Sequence, residues 1–228
     1  GDEADPYTGK VYDHGVKSGY DILYGVDVSK WHQDANWRKI KEDGMSFAFL
    51  RIGYSGTNDG QRCEDPCFDL GDEREISHYR AAKAQGLKVG VYYFSQAITV
   101  KEAKKEAEFT LQLLKDKELD LPVVFDYESG KSTYRNHNLT REEGTAICKA
   151  YCDVIRAAGY DTMIYVDFNY MTNKIDASQL AADNSFWLAR YNTRTGYSGA
   201  YEFWQYTDKG CVDGIGEDAD VNFWYVPS

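Results

Sequence analysis

At 228 residues with 43% hydrophobic side chains, the chain is long enough to bury one substantial α/β core, and nothing in it asks for a second domain. Its formal net charge of −11 argues against nucleic acid and anionic lipid as partners, because both reward Lys and Arg clusters that are missing here. No apolar run approaches the roughly 20 residues of a membrane span, so membrane insertion is not expected, and Gly1 does not open a signal peptide, as for a mature or trimmed chain.

Taken in order, residues 1–20 are polar, glycine-containing and aperiodic, and read as a linker or an arm lying on the surface, with residues 21–228 forming a single domain. Ile22 to Val28 reads as a first strand, and Asn36 can cap a short helix over Trp37 to Asp43. Ser46 to Ile52 is a second strand, and a polar loop leads to a helix from about Glu73 to Gln85, stopped by Gly86. Lys88 to Phe94 is a third strand. Val100 to Leu114 is an amphipathic helix with Ala103, Ala107, Leu111 and Leu114 on one face. Leu121 to Glu128, LPVVFDYE, is the fourth strand. Thr140 to Ala158 is a helix with Thr140 and Glu143 as a capping box and Gly159 as its stop, and Asp161 to Val166 is a fifth strand. Phe186 to Arg190, Tyr201 to Tyr206 and Asn222 to Tyr225 complete the strands, with only a short helix near Ser178 to Ala182 between them. Repeated strand and helix units imply a parallel sheet, and eight strands imply closure. The fold expected is a modified TIM-like β/α barrel with fewer helices in its C-terminal part.

Asp126 and Glu128 end the fourth strand two positions apart, so both carboxylates point the same way, a common layout for hydrolysing a glycosidic bond. Asp27 ends the first strand, and the carboxyl ends of barrel strands are where ligands bind. Asp27 could equally form a structural pair with Lys30 or Arg51. The acid-rich stretch of Asp213, Glu217, Asp218 and Asp220 reads as a solvated turn or a calcium site, although EF-hand spacing is absent. The abundance of Tyr and Trp suits a carbohydrate cleft, where rings cover sugar faces. Tyr92, Tyr165, Tyr191, Trp204 and Gln205 are candidate sugar contacts, of which about half are expected to touch ligand because strand aromatics so often belong to the core.

Cys63 and Cys67 could close a small disulfide in the loop RCEDPC, whereas Cys148 and Cys152 share a helical face with Tyr151 and Ile155 and read as buried core thiols. Two C-x3-C pairs as a zinc site are the sharper alternative, at an unusual spacing, and Cys211 has no evident role. His14, His78 and His137 pair with no Ser or Cys nucleophile, so a hydrolase triad is not supported. Neither a metal nor a cofactor is expected.

Six segments in order, YGVDVSKWH (24–32), FAFLRIGY (47–54), GLKVGVYYF (86–94), FDYE (125–128), FWLARY (186–191) and FWQY followed by DADVNFW (203–206 and 218–224), resemble glycoside hydrolase family 25, the Chalaropsis-type muramidases. The resemblance implies a catalytic β/α barrel that cleaves the β-1,4 bond between N-acetylmuramic acid and N-acetylglucosamine in peptidoglycan. It implies Glu128 as general acid/base, Asp126 as the acid beside it, and Asp27 and Asp220 as the remaining acids of the cleft. Three features depart from the family pattern: His32 and Gln33 in place of the usual Gln-Gly, the Cys63–Cys67 insertion, and the arm before Tyr24. For the second catalytic role, Asp126 could be a direct nucleophile, the base for an inverting water, or a group orienting the substrate's 2-acetamido oxygen, the last by analogy with substrate-assisted chitinases. A monomer, secreted or on the cell surface, with peptidoglycan glycan strands as its partner, is expected. The alternatives are another N-acetylhexosaminidase, a chitinase or glucosaminidase, or a catalytically silent wall-binding barrel.

Overall fold

The computed structural model describes residues 3–15, 17–69, 76–128 and 130–228. Among these residues nine strands form one sheet: β1 (Tyr20–Val28), β2 (Phe47–Ser55), β3 (Arg62–Glu64), β4 (Lys88–Phe94), β5 (Val123–Asp126), β6 (Thr162–Asp167), β7 (Ser185–Ala189), β8 (Phe203–Val212) and β9 (Gly216–Pro227). Their order is β1-β9-β8-β7-β6-β5-β4-β2-β3, and β1 also pairs with β2, so eight strands close into a barrel with β3 appended outside. Neighbours from β1 through β2, β4, β5, β6 and β7 to β8 are parallel. The last strand differs from the all-parallel expectation: β9 runs antiparallel to both β8 and β1. With only the turn 213–215 joining β8 to β9 there is no crossover long enough for a parallel return.

Helices α1 (Trp37–Glu42), α2 (Pro66–Asp69), α3 (His78–Ala84), α4 (Val100–Leu113), α5 (Arg141–Ala157), α6 (Phe168–Asn173) and α7 (Ala177–Leu180) lie along the connections. Their caps are those the sequence offers. Asn36 accepts from Lys39 N–H, and Thr140 and Glu143 close a reciprocal box at the start of α5. Helix α3 begins at His78, capped by Ser77; the expected start near Glu73 lies outside the described residues. Cys148 and Cys152 are buried on the inner face of α5, as their spacing predicts. Helix α6 was not anticipated. Asp167 caps it by accepting from Tyr170 N–H, but its FNYMTN sequence carries little helix propensity or period.

Side-chain alternation divides the apolar residues between an outer layer under the helices and a barrel interior. Phe47 and Phe49 on β2, Trp187 on β7 and Phe203 on β8 fill the interior, with Phe49 stacked on Trp187 at 4.6 Å. These rings need glycine opposite them: a Cβ at Gly25 would lie 2.3 Å from the Phe47 ring, and one at Gly90 would lie 2.6 Å from Phe49. A filled interior raises the floor of any cleft to the carboxyl ends of the strands.

The N-terminal residues pack as part of the barrel. Asp5 and Tyr7 are buried, the Tyr206 hydroxyl donates to Asp5 Oδ1 at 2.9 Å, and the Tyr7 hydroxyl donates to the Asp43 carbonyl at 2.6 Å. The Tyr12 ring meets Trp204, Tyr206 and Phe223 edge-on, and His14 Nδ1 lies 2.8 Å from the Tyr225 hydroxyl. These contacts cover the outer faces of β8 and β9, where the barrel lacks its helices.

Candidate active site

The strand ends bring the acids together. Asp27 and Asp220 are direct partners across the antiparallel β1–β9 ladder, and Asp126 is level with Phe94 on β4 and Tyr165 on β6. Asp27, Tyr92, Asp126, Glu128, Tyr165, Trp187, Tyr191, Gln205, Asp208 and Asp220 line one cavity of about 220 Å³. A second hollow of about 360 Å³ adjoins it, sharing Glu128, Tyr165 and Tyr191 and adding residues of α6 and the end of β7.

Hydrogen bonds set the positions. Asp27 Oδ2 accepts from Gln205 Nε2 at 2.8 Å and from Asn222 Nδ2 at 3.0 Å. Gln205 Oε1 accepts from the hydroxyls of Tyr165 and Tyr191 at 2.6 and 2.7 Å, and Asn222 Oδ1 accepts from Trp187 Nε1 at 2.7 Å. The alternative pairing of Asp27 with Lys30 or Arg51 does not occur: Arg51 Nε donates to Asp65 Oδ2 at 2.8 Å, and Lys30 Nζ donates to the Tyr54 hydroxyl at 3.2 Å. Behind the acids, Ser95 N–H donates to the Asp126 carbonyl and Asn136 Nδ2 to the Glu128 carbonyl, which fixes the end of β5. Asp126 Oδ1 is buried, and among the described residues no group donates a hydrogen bond to it.

The four acids form two hydrogen-bonded pairs. Burial, and then the charge of Asp27, push the Asp220 carboxyl up to about 10, so it stays protonated and donates to Asp27. Burial also raises Asp27, against the hydrogen bonds it accepts. In the second pair Asp126 is held well above the usual carboxylate range by burial and then by the charge of Glu128. Glu128 is pushed up to about 7, again chiefly by burial, while its hydrogen bond with Asp126 pulls it down. Both carboxyls of this pair are thus lifted above the usual carboxylate range, Glu128 to about 7.

Of the candidate sugar contacts, Tyr92, Tyr165, Tyr191 and Gln205 line the cavity, with Tyr191 54% exposed at its rim. Trp204 does not. It is fully buried on the outer face of β8 beneath Tyr12 and donates Nε1 to the Arg190 carbonyl at 2.9 Å. The reason is alternation: Trp204 and Gln205 are consecutive on one strand and cannot face the same side. Asn222, Trp187 and Asp208 were missed. The first two are signalled by the same alternation, being inward partners of Gln205 and Tyr165 across their ladders. Cys63 and Cys67 do not bridge their loop; the Sγ atoms face different carbonyls, those of Gln61 and Lys30, at 3.7 and 3.8 Å. Among the described residues, no group of three or more His, Cys, Asp or Glu side chains is arranged to hold a metal ion.

A barrel with a cluster of acids at the carboxyl ends of its strands defines a class, the barrel glycoside hydrolases, and comparison with known proteins narrows it. Residues 26–215 match the model of Glycosyl hydrolases family 25, and the chain belongs to that family. It is 28% identical over 209 residues to lysozyme M1 of Streptomyces globisporus, covering 88% of this chain and 67% of that protein. It is 27% identical over 209 residues to the uncharacterized protein YegX of Escherichia coli K12, covering 88% of this chain and 68% of YegX. The fold superimposes on a family 25 glycosyl hydrolase from Bacillus anthracis with a TM-score of 0.73 at 21% identity, covering 93% of this chain and 92% of that one. It also superimposes on the modular autolysin LytC of Streptococcus pneumoniae, solved with a synthetic peptidoglycan ligand, with a TM-score of 0.77 at 21% identity over 99% of this chain. The chain spans about half the length of that LytC chain, 52%.

Proposed function

We propose that this glycoside hydrolase is a muramidase that cleaves the β-1,4 bond between N-acetylmuramic acid and N-acetylglucosamine in peptidoglycan, acting on the wall outside the cell as a monomer. The observation that carries the reading is the Asp126–Glu128 pair, two hydrogen-bonded carboxyls on the floor of an aromatic cleft. The names of the family relatives, lysozyme M1 among them, support the substrate class.

A glycosidic oxygen leaves poorly unless protonated, so the site needs an acid that still holds its proton near pH 7 and gives it up readily. Glu128, pushed up to about 7, suits both requirements. It donates to the glycosidic oxygen as the bond to the anomeric carbon breaks, then takes a proton from the incoming water. Asp126 is buried deeper and keeps its own proton, which makes it a poor nucleophile. Its unpartnered Oδ1 is free to accept the N–H of the substrate's 2-acetamido group, turning the acetamido oxygen toward the anomeric carbon. Asp27, held by Gln205 and Asn222, and its partner Asp220 carry one negative charge below the developing oxocarbenium ion. Tyr165 and Tyr191 offer rings and hydroxyls to the sugar.

The test is product chemistry. Purified peptidoglycan is digested, the new reducing ends are reduced with borohydride, and the products are identified by mass spectrometry. Reduced muramic acid is expected. Reduced glucosamine would identify a glucosaminidase, and no release would identify a binding domain.

A further inference from the structure

Among the inward-facing residues at the mouth of the barrel is a cation that the reading above leaves unused. Arg51 follows Phe47 and Phe49 at two-residue steps on β2, and both rings fill the barrel interior, so its side chain enters from the same face. Its partner across the ladder is Tyr92, which lines the cleft. The side chain is only 11% exposed, with its guanidinium carbon 4.5 Å from the Tyr54 ring centroid. Nε is fixed by Asp65 at 2.8 Å, but Nη2 is buried and, among the described residues, has no hydrogen-bond partner. A charged donor left unpaired in the interior is unfavourable and marks a place where a partner arrives.

Asp65 lies between Cys63 and Cys67, just after β3. Strand β3 runs back along the end of β2, and Asp65 follows it fully buried. Its carboxylate accepts from Arg51 Nε, from Lys30 N at 3.0 Å and from Cys67 N at 2.9 Å. The two cysteines thus frame an anchoring carboxylate, which ties Arg51 to the turn that follows Asp27.

We propose that Arg51 is a positioning residue for the acid cluster: Asp65 holds it with Nη2 ready to meet the carboxylate formed at the Asp126–Glu128 pair when Glu128 gives up its proton. The proposal rests on Glu128 being the proton donor. In that step the proton passes from Glu128 to the glycosidic oxygen, the bond to the anomeric carbon breaks with its electron pair going to that oxygen, and the pair gains a negative charge. The titratable groups around this layer are Asp27 and His32 from β1 and its turn, Tyr92 from β4, Asp126 and Glu128 at the end of β5, Tyr165 and Asp167 from β6, Tyr191 after β7, and Asp208 and Asp220 from the β8–β9 hairpin, with Lys30 and Asp65 beside Arg51. Lys30 is turned to the Tyr54 hydroxyl, and burial lowers His32 toward its neutral form. Arg51 accordingly carries the positive charge that pulls both Asp126 and Glu128 downward against burial.

The test is the pH profile of kcat/KM on purified peptidoglycan for the wild type, Arg51→Met, Arg51→Lys, Asp65→Asn and Cys63→Ser, each checked for fold by near-UV circular dichroism. The wild-type rate should fall as pH rises through about 7. Arg51→Met should move that limb upward by about one unit, since removal of a nearby opposite charge releases about 1–3 units, and lower kcat about tenfold or more. Arg51→Lys, which keeps the charge without the fork, should keep the limb in place and lose part of kcat. Asp65→Asn should lower kcat several-fold with KM little changed, and Cys63→Ser should behave as wild type. An unshifted limb in a folded Arg51→Met protein, full kcat in Arg51→Lys, or full kcat in Asp65→Asn would overturn the proposal. An inactive wild type would instead overturn the assignment of function.

Discussion

Glu128 at the cavity wall and Asp126 beneath it are two acids of one strand end; Asp126 is enclosed and Glu128 partly open to the cleft, and burial is the main force that lifts both carboxyls. The same effect makes the cluster a stability liability with a definite sign. A carboxyl whose folded-state pKa is raised contributes stability that is complete below its unfolded value and is lost as pH rises toward the folded value. Asp220, pushed up to about 10, is therefore penalised throughout the neutral range. Asp220→Asn, which keeps a donor for Asp27 but cannot ionise, should melt higher than wild type at pH 8 by about 2–4 °C for each kcal/mol recovered and show no gain at pH 4. Thermal melts at the two pH values decide this, and an equal shift at both would show that ionisation is not the cause.

At the scale of elements, the covering of the barrel changes from helices to an aromatic arm. Helices α4 and α5 pack on one side, whereas β8 and β9 are covered by Tyr7, Tyr12 and His14. Tyr7→Ala removes a buried ring and the hydroxyl bond to Asp43, a change of the kind that costs about 3–5 kcal/mol in cores. It should lower the melting temperature by roughly 6 °C or more; an unchanged melt would show that the arm is not part of the packing. This role was illegible in the sequence because the arm has no period of its own, and its partners, Tyr206 and Phe223, lie about two hundred residues away. The periodic elements were legible for the opposite reason: α4 states its buried face locally, α5 its buried face and caps, and β2, β4 and β5 are largely apolar runs. Trp204 shows how far local reading extends, since its chemistry suited a sugar while its place beside Gln205 excluded it. Arg51 and Asp65 show the complementary case, a pair that only the return of β3 along β2 brings together.

For the whole molecule, closure of the barrel turns four separate sequence positions into one site. Asp27 and Asp220 stand at opposite ends of the chain, and the β1–β9 ladder makes them direct partners. Asp27, Asp126 and Glu128 could be read from the sequence because they close predicted strands, whereas Asp220 was reached only through the family resemblance, and which acid pairs with which depended on register. The filled interior leaves the chemistry only the rim, and the overall negative charge leaves Arg51 as a cation embedded among the acids there. Among the described residues no helix is long and apolar enough to cross a membrane. The central claim, that the proton on Glu128 drives glycan cleavage, is tested most directly by Glu128→Gln, which removes the transferable proton and little else. Release of reducing ends from purified peptidoglycan should fall by about 100-fold or more, with the melting profile and sedimentation with the wall retained. A folded Glu128→Gln protein that releases ends at the wild-type rate would contradict the account.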